Sequence, residues 1–314
     1  MGKRIEMTEK LFLEGYNCSQ SVFAAFSDVY GIDQDTALRL SASFGGGFGR
    51  LREVCGAVSG MCMIAGLETG SSKKMDDAGK KYNYDVVQKL CGEFKEINGS
   101  LICRELLSLE NKSIKDTTPQ ARDAVYYTTR PCLELVMEAA GIMERSLFHI
   151  DILPINTIEQ IEKVAELAEV IWHEHYDPII GGEQVNYMLG KYQSCEAMKD
   201  QLETGGYHYY RLEALGGLAG YFAIMEEKDA LFLSKLYLAK KYRGRDYARK
   251  ALQFIENYCK DHDLHKIWLT VNRDNQISIQ VYEKLGFTKS GTKVADIGAG
   301  YVMDDYIMEK NISC

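Results

Sequence analysis

The cysteines are the residues of this chain whose possible chemistry is easiest to recognise from the sequence. The sequence contains nine cysteines, and six of them lie before residue 133. Thiolates bind zinc and iron–sulfur clusters, and pairs of thiols exchange with disulfides. Residues 1–10 are polar and charged, so no secretion signal is expected. We therefore expect free thiols, metal ligands or redox groups rather than a framework of structural disulfides.

Four short segments carry the cysteines that stand out. They contain Cys18, Cys55, Cys103 and Cys132. No spacing among them is C-x-x-C, so these thiols must converge in space if they act together. Four thiolates suit an iron–sulfur cluster or another metal, four thiols can form two disulfide pairs, and buried thiols can simply be small apolar side chains. Cys62 and Cys91 are further candidate ligands.

A basic turn between an apparent strand and an apparent helix is the second candidate site. Residues 240–250 contain six cations and a single anion, Asp246. The cations are Lys240, Lys241, Arg243, Arg245, Arg249 and Lys250. A helix N-terminus presents unpaired N–H groups and the positive end of the helix dipole, so it binds anions. A phosphate site is one interpretation of this turn, and a solvated basic face is the other.

Length and composition limit the class of protein in which both candidate sites lie. The chain has 314 residues, of which 46% are hydrophobic and 26% charged, values typical of about two globular domains. Its net charge of −8 argues against non-specific nucleic-acid binding and is compatible with a cationic substrate. The apolar runs are shorter than the ~20 residues that span a membrane, so no membrane association is expected.

The first half has the periodicity of helices. Asn17 and Asp33 are predicted N-caps, and a further helix is predicted over residues 54–67. Gly56 and Gly60, one turn apart in that helix, would let another backbone approach closely. The dipeptide 118–119, Thr-Pro, is expected to begin a later helix, and Gly141 to close the half.

The pattern changes between Gly141 and Leu147, where we place the domain boundary. Strands are predicted over residues 148–154, 207–212, 218–225, 231–238 and 266–271, and helices over 157–173, 248–259 and 278–285. The predicted fold is an all-α, cysteine-rich domain at 1–145 followed by an α+β domain at 146–314. The second domain should contain a mixed, mostly antiparallel sheet.

A motif downstream of the basic turn carries a family resemblance. Asn275, Ser278, Tyr282 and the pair Gly286–Phe287 read N-x-x-S-x-x-x-Y-x-x-x-G-F, about thirty residues after the turn. Together with the turn, this pattern resembles the GNAT superfamily of N-acetyltransferases, over roughly residues 147–310. The family's turn reads V-x-P-x-x-R-G-x-G-x-G/A.

The resemblance implies a role for each matching residue. Acetyl-CoA would be held through its pyrophosphate by Arg243, Gly244, Arg245, Asp246, Tyr247 and Ala248, and through its pantetheine arm by Leu236, Tyr237 and Leu238. Asn275 matches a residue that contacts the cofactor, and Tyr282 matches the acid that protonates the departing CoA thiolate. Asp246 stands where the family usually has Gly, so weaker CoA binding is expected.

The implied reaction acetylates a primary amine, a small molecule or a polyamine. The amine must lose a proton before it attacks the thioester, so a base is needed. The sequence leaves that base open. Candidates are His173, Glu174, His175, His208 and Tyr237, with Asp296, Asp304 and Asp305 as carboxylates that could favour a cationic acceptor. Use of acetyl-CoA implies a cytoplasmic protein, and a homodimer is compatible with this interpretation.

The four cysteine segments resemble a second family, named for the pattern C-GCAxxG-C-C. The resemblance covers about residues 5–140, and the local order here is Cys55-Gly56-Ala57. It implies redox or metal-related chemistry, with a redox partner, through Cys18, Cys55, Cys103 and Cys132. The alternative to an acetyltransferase is therefore a redox or metal sensor, or an electron carrier. In that case the acetyltransferase fold would bind CoA weakly or only mediate regulation or partner contact.

Overall fold

The computed structural model describes residues 2–109 and 117–312. The chain divides into two compact units, Met1–His149 and Ile150–Cys314. Among the described helices, none combines the length and the apolar character needed to cross a bilayer.

The first unit is built from helices. In its described part these are α1 (Lys3–Leu13), α2 (Cys18–Ser27), α3 (Gln34–Ser41), α4 (Gly45–Phe48), α5 (Gly56–Thr69), α6 (Asp77–Asn98), α7 (Cys103–Leu106), α8 (Ala124–Thr129) and α9 (Cys132–Ser146). Helix α2 packs against α1, α3, α5 and α9. Its Val22, Ala25 and Phe26 are fully buried, and each large side chain buried in this way stabilises the unit by about 1.5–3 kcal/mol.

Local capping chemistry sets where α2 and α3 begin. The Asn17 side chain accepts hydrogen bonds from the N–H groups of Ser19 and Gln20, and the Gln20 side chain accepts one from the Asn17 N–H. The Asp33 side chain accepts from the Thr36 N–H. Both predicted N-caps are thus confirmed, because each cap is a local interaction that the sequence alone specifies.

The close approach expected at the small residues of α5 is also confirmed. A Cβ at Gly60 would lie 3.0 Å from the Ser19 carbonyl oxygen and 3.0 Å from Cβ of Val22. Helix α2 therefore packs against α5 with backbone-to-backbone contact that a larger residue would prevent.

Two predictions for the first unit were wrong. Residues 118–119 do not begin a helix: α8 begins at Ala124, where the Asp123 side chain caps it by accepting from the Tyr126 N–H. Gly141 does not end a helix, because α9 continues to Ser146. A Cβ at Gly141 would lie 3.1 Å from Nη1 at the flexible end of the Arg145 side chain and 3.7 Å from Cδ1 of Ile5, so the described neighbours do not require a glycine here.

The second unit is an α+β domain with one sheet of seven strands. The strands are β1 (Ile150–Pro154), β2 (Tyr207–Ala214), β3 (Gly217–Glu227), β4 (Ala230–Leu238), β5 (Lys266–Asn272), β6 (Thr288–Gly298) and β7 (Tyr301–Asn311). Their order in the sheet is β1-β2-β3-β4-β5-β7-β6. Among the described strands, β4 and β5 form the one parallel pair. The predicted mixed, mostly antiparallel sheet is confirmed.

Helices cover the two faces of this sheet and enclose two cores. They are α10 (Ile158–Ile180), α11 (Gly182–Met188), α12 (Cys195–Glu203), α13 (Tyr247–Asp261) and α14 (Gln276–Lys284). Helices α13 and α14 contribute to one core, and α10, α11 and α12 to the other. The predicted three-stranded meander β2–β3–β4 is confirmed. Helix α10 runs on to Ile180 instead of ending at His173, which extends the helix past His175.

Candidate functional site

The parallel strands β4 and β5 separate along their length. They pair only at Ala230–Phe232 with Lys266–Trp268, although β4 continues to Leu238 and β5 to Asn272. Beyond Phe232, the edge of β4 that faces β5 has no strand partner in the described part of the sheet. Unpaired N–H and C=O groups on a strand edge can bind an extended ligand. Leu236–Leu238, which the motif predicted to bind a pantetheine arm, lie on this open edge.

The basic turn follows β4 and leads into α13. Gly244 and Asp246 both have a left-handed backbone, with φ of 76° and 65°. Aspartate tolerates this conformation better than most residues, which is how Asp246 occupies a position that suits glycine. The Arg243 Nε donates to the Leu238 carbonyl at 3.0 Å and so ties the turn to the end of β4.

The carboxylate of Asp246 is engaged by the helix that it precedes. Its Oδ1 lies 3.1 Å from the Nε of Arg249, one turn into α13. This ion pair offsets part of the negative charge that the sequence placed beside the predicted phosphate site. The residues from Arg243 to Ala248 thus form a turn and a helix start with a basic character.

Asn275 connects the second motif to the same end of the sheet. It is 2% exposed and immediately precedes α14, where its Oδ1 accepts from the Ser278 N–H at 3.2 Å. The same Oδ1 lies 3.2 Å from Nε2 of His175, in the last part of α10. Because the Ser278 N–H fixes this atom as the amide oxygen, His175 must donate through Nε2–H. Its Nδ1 then keeps a lone pair and can accept a proton.

The surroundings of His175 favour the neutral ring. Burial lowers the pKa of His175 below its usual 6.5, and the charge of Arg243 lowers it further. The other candidate bases lie in different settings. His173 pairs with Asp177 at 3.0 Å, Glu174 is exposed, and His208 is exposed and faces the Tyr258 ring.

Aromatic rings surround the end of α10 and the end of β4. Ring centroids are 4.7 Å apart for Trp172 and Tyr176, 5.8 Å for Trp172 and Tyr237, and 5.3 Å for Tyr221 and Tyr237. Burial raises the pKa of Tyr176 to about 12. Burial also raises the pKa of Tyr282 well above its usual value, with a further contribution from Tyr176. Both hydroxyls therefore keep their protons at neutral pH, and that of Tyr282 can serve as an acid.

The three candidate carboxylates near the C-terminus have different interaction partners. Asp304 pairs with Arg273 at 2.7 Å, and Asp296 accepts from the Gly298 N–H at 2.8 Å. Asp305 is 7% exposed, and burial raises its pKa. Its charge contributes to the raised pKa of Tyr176. Motif reasoning did not single out Trp172 or Tyr176; their i, i+4 spacing on α10 is the signal that identifies a shared helix face.

Four of the six cysteines of the first unit, Cys18, Cys55, Cys103 and Cys132, line one cavity of about 60 Å³. Each stands at the start of a helix: Cys18, Cys103 and Cys132 are the first residues of α2, α7 and α9, and Cys55 directly precedes α5. Arg52, Arg122 and Arg130 line the same cavity. The structure thus brings together the four thiols that the sequence separated by up to 114 positions (132 − 18).

Glycines allow this convergence. Gly46 and Gly47 have left-handed backbones, and their carbonyls accept from the N–H groups of Arg52 and Glu53. A Cβ at Gly47 would lie 2.7 Å from the Glu53 nitrogen and 3.0 Å from Cβ of Cys103. A Cβ at Gly56 would overlap Sγ of Cys18. The glycine-rich segment therefore lines the cavity in a conformation, and at a distance from its neighbours, that would cause a larger side chain to clash.

Burial keeps three of these thiols protonated. It raises the pKa of Cys55 and Cys103, and it raises that of Cys132 to about 11. The buried side chain of Arg52 opposes this at Cys103, with Nη1 3.9 Å from the sulfur. In residues 2–109 and 117–312, no group of three or more His, Cys, Asp or Glu is arranged to hold a metal ion. As arranged, the thiols do not form a ready metal site, and their ligation of a metal stays a prediction.

Residues 165–287 match the model of the acetyltransferase (GNAT) family. Residues 16–146 match the model described as "Putative redox-active protein (C_GCAxxG_C_C)". Both resemblances predicted from the motifs are confirmed, and the second unit has a GNAT-like α+β fold. No curated protein matches the chain.

Several solved structures are similar to the GNAT-like domain. PaiA N-acetyltransferase from Thermoplasma acidophilum, in complex with coenzyme A, is 24% identical, covers 52% of this chain and 99% of its own, and has a TM-score of 0.43. The spermidine N-acetyltransferase from Vibrio cholerae, in complex with CoA and spermine, is 16% identical, with coverages of 52% and 95% and a TM-score of 0.39. Because both TM-scores are below 0.5, the proposed function rests on the residues of this chain alone.

Proposed function

We propose that the GNAT-like domain transfers an acetyl group from acetyl-CoA to a primary amine. The observation that carries the proposal is the contact of His175 with Asn275. Through it, a residue able to accept a proton lies at the helix start of the second GNAT motif, next to an aromatic cluster that includes Tyr176. Tyr282, whose hydroxyl burial keeps protonated, interacts electrostatically with that same tyrosine.

The turn and the open strand edge supply what acetyl-CoA needs. Backbone N–H groups from Arg243 to Ala248 would hold the pyrophosphate, helped by the cations of the turn. The free edge at Leu236–Leu238 would pair with the pantetheine arm, and an N–H there would polarise the thioester carbonyl. The Asp246–Arg249 ion pair supports this assignment, because it reduces the repulsion that Asp246 would exert on phosphate.

His175 would act as the general base and Tyr282 as the general acid. Nδ1 of His175 takes a proton from the ammonium group of the acceptor, directly or through a water, and the free amine attacks the thioester carbonyl. Tyr282 gives its hydroxyl proton to the CoA thiolate as it leaves, and regains a proton from solvent. The nitrogen of the acceptor loses a second proton to solvent when the tetrahedral intermediate collapses. The products are the amide and CoA, and one proton is released overall, because Tyr282 takes back one of the two protons that the ammonium group loses.

The acceptor would be a cationic primary amine, either a small molecule or a polyamine. Aromatic faces attract cations, and a carboxylate facing them adds charge complementarity. Trp172, Tyr176 and Tyr237 supply the faces, and Asp305 is the carboxylate that acts on Tyr176. A neutral or anionic acceptor would not be attracted electrostatically by these rings and this carboxylate.

The test is an acetylation assay of the full chain with acetyl-CoA. Acceptors would be spermidine, spermine, a short aliphatic monoamine and the alcohol of the same length, with products identified by mass spectrometry so that protein thiols do not interfere. N-acetyl products from the amines and none from the alcohol are expected. If the protein binds CoA by calorimetry yet acetylates no amine, the proposed reaction is wrong.

The cysteine cavity supports a second candidate function, a redox or metal sensor or an electron carrier. Four thiols beside the buried Arg52 guanidinium are poorly explained as plain packing. The full chain would be purified anaerobically, its absorption spectrum recorded and its bound metals measured. Iron with a charge-transfer band, lost in Cys18→Ser but kept in the control Cys259→Ser, would support a cluster on Cys18, Cys55, Cys103 and Cys132. A colourless, metal-free protein would favour thiol–disulfide chemistry.

A further inference from the structure

A second pair of thiols lies in the first unit, away from the four-cysteine cavity. Sγ of Cys62 on α5 is 3.7 Å from Sγ of Cys91 on α6. Both side chains are half-buried, and neither lines the cavity. Helices α5 and α6 pack against each other, so the contact joins two rigid elements.

We propose that Cys62 and Cys91 form a separate redox centre that exchanges with low-molecular-weight disulfides. A disulfide bond is about 2.05 Å long, so the two sulfurs need to approach by about 1.7 Å. Side-chain rotation and small helix shifts cover such a distance. The proposal does not depend on the acetyltransferase assignment, nor on what the four-cysteine cavity binds.

The pair is asymmetric, which assigns a role to each thiol. The hydrogen bond between the sulfurs lowers the pKa of Cys91, whereas the same bond, with burial, raises the pKa of Cys62. The contact itself allows either sulfur to donate, and these directions favour Cys62 as the S–H donor and Cys91 as the thiolate. Since the thiolate is the nucleophile, Cys91 attacks first and Cys62 resolves the mixed disulfide.

The exchange balances in two steps. The Cys91 thiolate attacks one sulfur of the small disulfide, forming a mixed disulfide and releasing one small thiolate. Cys62 then loses its proton and attacks the Cys91 sulfur, which forms the Cys62–Cys91 disulfide and releases the second small thiolate. Two protein thiols are oxidised by two electrons, the small disulfide is reduced to two thiols, and the two protons pass to the released thiolates.

The first experiment uses the unaltered full chain with 2-hydroxyethyl disulfide. After a time course, free thiols are alkylated and the digested protein is mapped by mass spectrometry. We expect a cross-linked peptide pair containing Cys62 and Cys91, while Cys195 of the second unit remains alkylated. Oxidised protein that lacks the Cys62–Cys91 disulfide, or in which Cys62 and Cys91 react no faster than Cys195, overturns the proposal, whether or not the cavity cysteines are also oxidised.

Two variants test the order of attack. Cys62→Ser should retain one small-thiol adduct on Cys91, because the resolving thiol is missing. Cys91→Ser should react at Cys62 more slowly than Cys62→Ser reacts at Cys91, since burial still raises the pKa of Cys62. Cys195→Ser is the matched control and should behave as the wild type. Stable adducts on Cys62 at the same rate as on Cys91 would overturn the assignment of roles, and circular dichroism would verify that each variant is folded.

Discussion

His175 donates through Nε2 to Oδ1 of Asn275 at 3.2 Å, across a separation of 100 residues. The contact joins the last part of α10 to the start of α14. Because Oδ1 also accepts from the Ser278 N–H, the orientation of the amide and the tautomer of the histidine are both determined. The lone pair of His175 is thereby left on Nδ1. This relationship distinguishes one histidine from the several candidates that sequence reasoning left open.

Replacing His175 by Ala should remove the general base. We expect kcat/KM for the amine to fall by about 10²–10⁴, the usual contribution of such a group. The wild type needs the neutral ring, and burial with Arg243 holds the pKa below 6.5. Its activity should therefore persist at neutral pH and decline only as the pH falls through that lowered pKa. The variant should lose this acid limb of the pH–rate profile.

The matched control is His173→Ala, on the same helix. His173 pairs with Asp177 at a half-exposed position, so its loss should leave the rate and the acid limb unchanged. Equal losses of kcat/KM in the two variants would show that activity depends on the structure of the end of α10, and not on Nδ1 of His175.

Tyr282→Phe should lower kcat while the KM for acetyl-CoA changes little. Burial keeps the hydroxyl protonated across neutral pH, and the variant retains the ring that packs against Phe287 at 5.5 Å. A loss of about 10²-fold is typical for removal of an acid. Tyr210→Phe, another partly buried tyrosine of the same domain, serves as the control and should keep full activity. CoA release that persists unchanged in Tyr282→Phe would exclude the acid role.

Asp246→Gly should strengthen the binding of CoA. The substitution removes a carboxylate near the predicted phosphate site and relieves a left-handed backbone at φ 65°. Since an exposed charge pair is worth about 1 kcal/mol, an affinity gain of about two- to fivefold is expected by calorimetry. Asp246→Asn separates the causes, because it removes only the charge and asparagine also tolerates this backbone. Unchanged affinity in both variants would mean that Arg249 already neutralises Asp246.

Lys235 should make the stability of the protein depend on pH. It is 5% exposed, its Nζ donates to Oε1 of Gln201 at 2.8 Å, and it lies over the rings of Tyr207 and Tyr209. Burial lowers the pKa of Lys235 to about 7. The unfolded state therefore holds more protons than the folded state between pH 7 and about 10, so wild-type stability rises with pH across that window.

Lys235→Met removes this linkage and leaves Gln201 its bond from the Tyr209 hydroxyl. The difference in unfolding free energy between wild type and variant should shift in favour of the wild type by about 2 kcal/mol from pH 7 to pH 9. Urea denaturation of both proteins at the two pH values measures it. A difference that does not vary with pH would mean that Lys235 is charged in the folded protein.

Gly56→Ala should disrupt the cysteine cavity, because the new Cβ would overlap Sγ of Cys18. A destabilisation of about 1–3 kcal/mol is expected for such overpacking, with altered reactivity of Cys18 towards an alkylating reagent. Gly66→Ala is the control on the same helix, where nothing lies within 4 Å of the added methyl group. That variant should be stabilised by about 0.5–1 kcal/mol through helix propensity.

Local interactions explain which structural features could be predicted from the sequence alone. The caps at Asn17 and Asp33 and the meander from β2 to β4 follow from neighbouring residues, so their positions were predictable. The helix start expected at residues 118–119 was wrong because Asp123 supplies the cap, a local signal that lies only a few residues further along the chain. Gly141 was misinterpreted because a glycine inside a helix does not have to end it, and α9 continues to Ser146.

The sequence by itself determined the two-part organisation, the GNAT motifs and the four cysteines, because spacing and residue type carry that information. Only the tertiary structure decided which histidine meets Asn275, which carboxylate acts on Tyr176, and that Cys62 lies beside Cys91. These pairs are brought together by the packing of α10 on the sheet and of α5 on α6. Such packing depends on the burial of whole faces, and no short stretch of sequence specifies which side chains those faces bring into contact.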